Sequence, residues 1–371
     1  MDRISEINLG VKISLVIIAS AAVIMVAGLS TAYASGWGSA ASGQQATVSD
    51  LIPSMSSGQA YSERYSFAAD LDGGGHIGMN WTISNLGIRN GYGSSEFRIN
   101  LPDHDNFRVN ERVRRSQWSY DEDSFGLDIA NSKIKAVDDG VFEIDYDDGE
   151  VRAELRFESR IPMWQPGSGE LRSDDDFYRF TIIAPRADLS GRVYVDGQWH
   201  DVKATQSGYA DHVSTNIAPY NMGKRFSRFR QYSDDVFIMW REIDLGAAFG
   251  GRTVTWILVG IGDEIIYEDV DAELRFGNLE RDDETDYQIP HAIQVLSNNG
   301  SDKVRLTLRG EDVDRRDLLA GQGRMVRSIA SRVSNPYRYD VEGRYALELE
   351  VGERRLRKVD EGLVTIDYVN N

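Results

Sequence analysis

A chain of 371 residues with 59 acidic and 41 basic side chains carries a net charge of −18, a balance that repels nucleic-acid phosphates and argues equally against broad adhesion to anionic membrane. It has no cysteine, which excludes disulfides and a lipidated-cysteine anchor. Its length exceeds what one barrel or sandwich usually holds, so two domains are expected.

Residues 1–34 read as a targeting segment. Arg3 and Lys12 flank the start, Ile13–Leu29 is apolar without a charge, and Ala32-Tyr33-Ala34 offers a cleavage site before Ser35. A cleaved signal peptide is expected, or an N-terminal anchor if cleavage fails, with the bulk of the chain periplasmic or secreted. Membrane contact is expected only through this segment. Residues 35–57, rich in Gly, Ser, Ala and Gln, read as a flexible tether.

The first domain is expected over residues 58–210. From Tyr61 the chain becomes short strands punctuated by Gly, Asn and Asp, the spacing of an all-β sandwich or barrel. Gly73-Gly74-Gly75 is a hairpin turn, because the residues after it alternate like another strand. Phe142, Ile144 and Tyr146 alternate with acids, and after Asp148-Gly149 come Val151, Ala153, Leu155 and Phe157 alternating with charges. That is a hairpin with one apolar and one charged face, in a register that a one-residue slip would invert. A second hairpin turns at Asp196-Gly197, a dipeptide suited to a type I′ turn.

The second domain, residues 211–371, is expected to carry strands at Val236–Ile243, Thr253–Val259, Asp271–Phe276, Ile293–Leu296, Val304–Arg309, Tyr345–Val351 and Leu363–Tyr368, with a helix allowed only over Asp312–Val333. Val236–Ile243 is apolar on both faces. Such a strand suits a barrel holding a lipophilic ligand, a barrel–barrel contact, or an ordinary buried central strand.

The stretch between the two domains carries a resemblance. The order YRFTIIAPRADLSGRVYVDGQWHDV, then GYADH, then RFSRFRQYSDDVFIMWREI is similar to the tandem lipocalin-like proteins: the fungal survival-factor branch and, more distantly, the AttH-like proteins and carotenoid 1,2-hydratases. The resemblance implies two lipocalin-like antiparallel β-barrels in tandem, each of eight to ten strands, and a hydrophobic ligand. Where the hydratase branch has an aromatic two residues after its Asp-His, this chain has Ser214, which favours the lipid-binding branch.

The same stretch supplies the candidate site. Asp211 and His212 could act together as an acid or base, could orient a ligand, or could simply hydrogen-bond across the junction. Lys224, Arg225, Arg228 and Arg230 could clamp a polar or anionic headgroup, or pair with acids of the other barrel. Tyr209, Asp211, His212, Arg228, Arg230 and Trp240 are therefore the expected ligand-binding residues, with Asp211 and His212 the catalytic ones if the protein is an enzyme. Scattered histidines and no thiol give no metal site, and phosphate-loop and serine-hydrolase motifs are absent; no cofactor is expected. The expected function is that of an exported monomer binding or carrying a lipid or isoprenoid. The alternative is a cofactor-independent hydratase, cyclase or isomerase acting on an isoprenoid.

Overall fold

The computed structural model describes residues 36–37, 42–55, 60–85, 91–320 and 334–369. The targeting segment of residues 1–34, and residues 321–333 of the expected helix, lie outside the described residues; Asp312–Asp317 of that helix is instead the end of a strand. The fold is all-β, with a single four-residue α-helix, Pro219–Met222, among the described residues.

Alternation of apolar and polar residues dictates two antiparallel sheets. The first begins with β1 (Gln44–Gln45), β2 (Ser62–Asp70), β3 (His76–Ser84), β4 (Tyr92–Asn100) and β5 (Phe107–Val113). It continues with β6 (Trp118–Tyr120), β7 (Gly126–Ile129), β8 (Ser132–Asp138), β9 (Val141–Asp147) and β10 (Arg152–Ser159). Short β11 (Trp164–Gln165) and β12 (Glu170–Ser173) precede two long strands, β13 (Asp176–Val195) and β14 (Gln198–Thr215). The spatial order is β5-β4-β3-β2-β14-β13-β10-β9-β8-β7-β6. The second sheet comprises β15 (Gly223–Ser233), β16 (Val236–Leu245), β17 (Thr253–Ile261), β18 (Glu264–Asp269), β19 (Glu273–Arg281), β20 (Gln288–Asn299), β21 (Asp302–Asp317), β22 (Tyr337–Val351) and β23 (Arg354–Tyr368). Its order is β18-β17-β16-β15-β23-β22-β21-β20-β19.

Both sheets follow one plan that no residue-level repeat reveals. Strands early and late in each half pair with each other, β2 with β14 and β15 with β23, and the seam falls between strands consecutive in the chain. Side chains close each seam. Trp118 Nε1 donates to the Gly91 carbonyl at 3.1 Å in the first sheet, and Tyr267 and Ser297 hydroxyls meet at 2.5 Å in the second. The result is two lipocalin-like barrels in tandem. Their interiors are filled with side chains: Phe67 packs edge-on against Trp81, Phe142 and Phe157, and Phe229 and Tyr345 meet in the second barrel.

The expected hairpins form in the expected register, Phe142 opposite Phe157 and Tyr146 opposite Ala153. Asp196 and Gly197 take φ of 51° and 83°, as a type I′ turn demands. The strand at Val236 is longer than expected and serves as a barrel–barrel contact. Its Phe237, Met239 and Ile243 pack with Val254, Trp256 and Leu258 of β17 against Tyr178, Phe180 and Ile182 of β13. Arg186, 1 % exposed, pins the contact from β13. Its guanidinium donates to the carbonyls of Asp234, Asp235 and Gly262 of the second barrel at 2.7–3.0 Å.

Two expectations need correction. The segment 35–57 is not a free tether where it is described: Trp37 is 1 % and Leu51 0 % exposed, and Gln44–Gln45 pairs with Trp164–Gln165. Gly167, at φ 53°, is required there, because a Cβ would collide with the Trp37 carbonyl. Apolar Trp37, Ala46 and Leu51, diluted among small residues, are the anchors that composition hid. The boundary also moves, since β14 runs on to Thr215 in the first sheet. Asp211 and His212 therefore belong to the first barrel rather than heading the second, and the change of sheet occurs over residues 216–222.

Candidate functional site

The decisive geometry is the alternation of β14. Successive residues of a strand point to opposite faces, so Asp211 and His212, adjacent in sequence, are parted. Tyr209, Asp211, Val213 and Thr215 face a cleft between the two sheets. Ala210 is in the first barrel's core, and His212 and Ser214 lie beside Tyr65 and Glu63 across the pairing with β2. No joint Asp–His chemistry is possible, and the two do not hydrogen-bond across the junction.

The cleft has a volume of about 690 Å³, the size of a small-molecule site. Its walls are the outer faces of the barrels, and the ladders fix its rows. Nearest the 216–222 turn it is apolar, with Ile217, Met222 and Phe226. In the middle Arg64 of β2, opposite Val213, meets Arg228, which pairs with Arg241 of β16. At the far end Arg230 lies 4.1 Å over the Tyr209 ring, and Arg98 stands on β4. A connected cavity of about 190 Å³ runs past Phe180, Trp256 and Met239 between the sheets and shares Tyr209, Asp211 and Arg228 with the cleft.

The electrostatics invert those of the whole molecule. Arg64, Arg98, Arg228, Arg230, Arg241 and Arg338 line the cleft against Glu96, Asp211 and Asp367, six positive groups to three negative. Asp367 accepts from Arg338 at 2.6 Å and from Arg228 at 3.2 Å, and Glu96 is 2.7 Å from Arg98. Arg64, Arg230 and Arg241 have no ion pair among the described residues; Arg241 lies 4.6 Å over the Phe180 ring. Burial, and then Arg338, Arg241 and Arg64, hold Arg228 below the usual guanidinium range despite Asp367. Tyr209 Oη donates to Asp211 Oδ2 at 2.9 Å, while the buried Asp211 Oδ1 has no hydrogen-bond partner. Burial and then Asp211 push the Tyr209 phenol well up, which keeps it a donor.

Of the expected residues, Tyr209, Asp211, Arg228 and Arg230 meet in the cleft. His212 is on the reverse face, and the Trp240 ring stacks on Phe229 inside the second barrel, although the residue borders the narrow cavity. The basic cluster divides. Arg225 pairs with buried Glu242 at 2.7 Å and Arg228 with Asp367, acids of the same sheet rather than of the other barrel, while Arg230 has no ion pair among the described residues. Arg64, Arg98, Arg241 and Arg338 were missed. Arg241 carried a signal, being the lone cation inside the apolar run VFIMWREI.

Against known proteins, the Svf1 family profile matches residues 178–368, more than half of the chain. The chain belongs to the Svf1 family. No curated sequence matches it. Among solved structures, kievitone hydratase from Nectria haematococca is similar at 14 % identity and a TM-score of 0.50, covering 87 % of this chain and 92 % of that one. CghA is similar at 8 % identity and a TM-score of 0.54, covering 89 % and 98 %, and CghA with Sch210972 at 9 % and 0.55 over the same shares. At these identities the likeness is one of fold, and the Svf1-family chain shares with them the lipocalin-like architecture.

Proposed function

We propose that this Svf1-family protein binds an anionic amphiphile, a lipid or isoprenoid with an acidic head, in the cleft between its two barrels. The observation that carries the reading is the surplus of arginines there, in a chain whose net charge is −18. Crowded like charges are costly unless a counter-charge arrives. A carboxylate or phosphate received by Arg64, Arg228 and Arg241 would relieve that repulsion through bidentate bonds. A hydroxyl or amide on the ligand would satisfy Asp211 Oδ1, and the apolar end at Ile217, Met222 and Phe226 would take the tail. The apolar cores of both barrels are packed, which supports an amphiphile held between the barrels rather than within a core.

The enzymatic alternative now has less to work with. A hydratase, cyclase or isomerase acting in the cleft would have Asp211 alone, because His212 opens on the other face of β14, beside Glu63 and Ser214. The hydratase activity in the name of the Nectria protein remains that protein's. The reading includes export, with a mature terminus at Ser35 that leaves the docked Trp37 in place. Native mass spectrometry of the full-length protein from its own host, followed by lipid extraction, tests the binding. A co-purifying acidic amphiphile is expected. No bound mass, and no uptake from a panel of fatty acids and anionic phospholipids, would overturn the proposal.

A further inference from the structure

On the reverse face of β14 lies a second cavity, of about 420 Å³, that the cleft does not use. Its mouth is formed by the exposed Asp50, Ser54 and Ser168, contributed by the docked N-terminal segment and the loop before β12. Its floor is Glu63, His212 and Ser214, exposed by 1 %, 4 % and 1 %. We propose that this cavity is a binding site for a primary ammonium group.

The argument starts from unmet hydrogen-bonding capacity at the floor. His212 is fixed by stacking on Tyr65, centroids 4.3 Å apart and planes within 4°, and Tyr65 Oη donates to the Leu51 carbonyl at 2.7 Å. Yet His212 Nε2 makes no hydrogen bond, although Glu63 Oε1 is 3.5 Å away. Ser214 Oγ, buried beside it and close to the Tyr61 hydroxyl, makes no hydrogen bond of good geometry among the described residues either. Buried polar atoms are seldom left so.

Charge specifies the guest. Glu63 Oε2 accepts from Tyr61 Oη at 2.6 Å, and among the described residues Oε1 has only the Ser54 amide at 3.4 Å besides the imidazole. Arg179, the other cation of the cavity, is taken up by Glu170 at 2.6 Å. The nearest group to Glu63 that could carry positive charge among the described residues is His212, at 3.5 Å and without a hydrogen bond, and a buried carboxylate so weakly paired is costly. Glu63 faces Ser214 across the ladder, and His212 is two residues along the same face, so three groups able to accept, Glu63 Oε1, His212 Nε2 and Ser214 Oγ, line the one cavity. A primary ammonium is a compact cation with three N–H donors. It meets all three acceptors, and Asp50 at the mouth favours its entry. A hydroxyl brings one donor and no charge, a quaternary ammonium brings no donor, and a carboxylate is repelled by Glu63.

The test is a titration of full-length protein, carrying ¹³C-labelled histidine, with n-butylamine and ethanolamine, 1-butanol and tetramethylammonium serving as controls. The His212 ring resonance, assigned by its loss in His212→Gln, should shift saturably with both primary amines. The controls should bind about tenfold or more weakly than the amines. Glu63→Gln should weaken amine binding by about tenfold or more, and Ser214→Ala by about threefold, the scales of a charged and a neutral hydrogen bond. Absence of a saturable shift, equal binding of 1-butanol, or unchanged affinity in both variants would overturn the proposal. Should Glu63→Gln fail to fold, Ser214→Ala decides alone, and wild-type affinity in it counts against the site.

Discussion

The interiors of the two barrels and the cleft between them are built from opposite materials. In the barrel cores aromatic rings interlock: Phe142 is fully buried against Phe67 and Phe125. Between the barrels, arginines crowd one another, and a buried Asp211 oxygen lacks a partner. The difference teaches where stability and function reside. On the proposed function the barrels act as walls, and the space between them would take the part that a lipocalin-like fold is expected to give to a barrel interior.

Substitutions should keep these two roles apart. Phe142→Ala removes a packed ring and should cost about 3–5 kcal/mol in urea unfolding, with amphiphile affinity unchanged in the protein that remains folded. A parallel loss of affinity would mean that the interior holds the ligand. Arg186→Met bridges the two roles. It strands carbonyls of Asp234, Asp235 and Gly262, and a loss of about 2–3 kcal/mol is expected on the scale of buried unsatisfied groups. Because it also loosens the barrel–barrel contact, ligand affinity should fall with stability, and an isolated stability effect would show that the cleft does not depend on that contact.

Cleft substitutions should do the reverse. Arg64→Ala or Arg241→Ala should weaken an anionic amphiphile by about tenfold, one charge-assisted bond. Stability should hold or rise slightly, because each relieves repulsion on Arg228. The smallest effect concerns acid. Burial raises the Asp367 carboxyl, but Arg338 and Arg228 outweigh it and hold the group below the usual carboxylate range. A lowered folded pKa contributes stability that is present above the unfolded value of roughly 4 and lost as pH falls through the folded one. A bound anion competing for Arg228 should blunt that loss. Unfolding measured from pH 6 to pH 2, with and without ligand, and against Asp367→Asn, checks the sign.

Much of this was legible in the sequence where a pattern has period two. The Asp148-Gly149 and Asp196-Gly197 hairpins follow from alternation and turn chemistry alone, and the two-sided apolar strand at Val236 announced a second contact surface. The same rule applied to β14 would have parted Asp211 from His212, had that stretch been read as a strand; its Gly208, Asp211 and Ser214 made it resemble a loop. Glu63 carried a readable signal too, an acid in the row of Tyr65, Phe67 and Ala69, where only a partnered charge belongs. The cleft itself was not legible. Arg64, Arg228 and Arg241 come from three strands spread over 178 positions of the chain, and no local period records which outer faces will be pressed together.

The claim that the ligand lies between the barrels is tested most directly by a crystal structure with a fatty acid brominated at its tail. The anomalous bromine peak should fall in the apolar end of the cleft by Ile217, Met222 and Phe226, with the carboxylate about 3 Å from Arg64, Arg228 or Arg241. A bromine peak inside either barrel, among Phe67, Trp81 and Phe142 or among Phe229 and Tyr345, would contradict it.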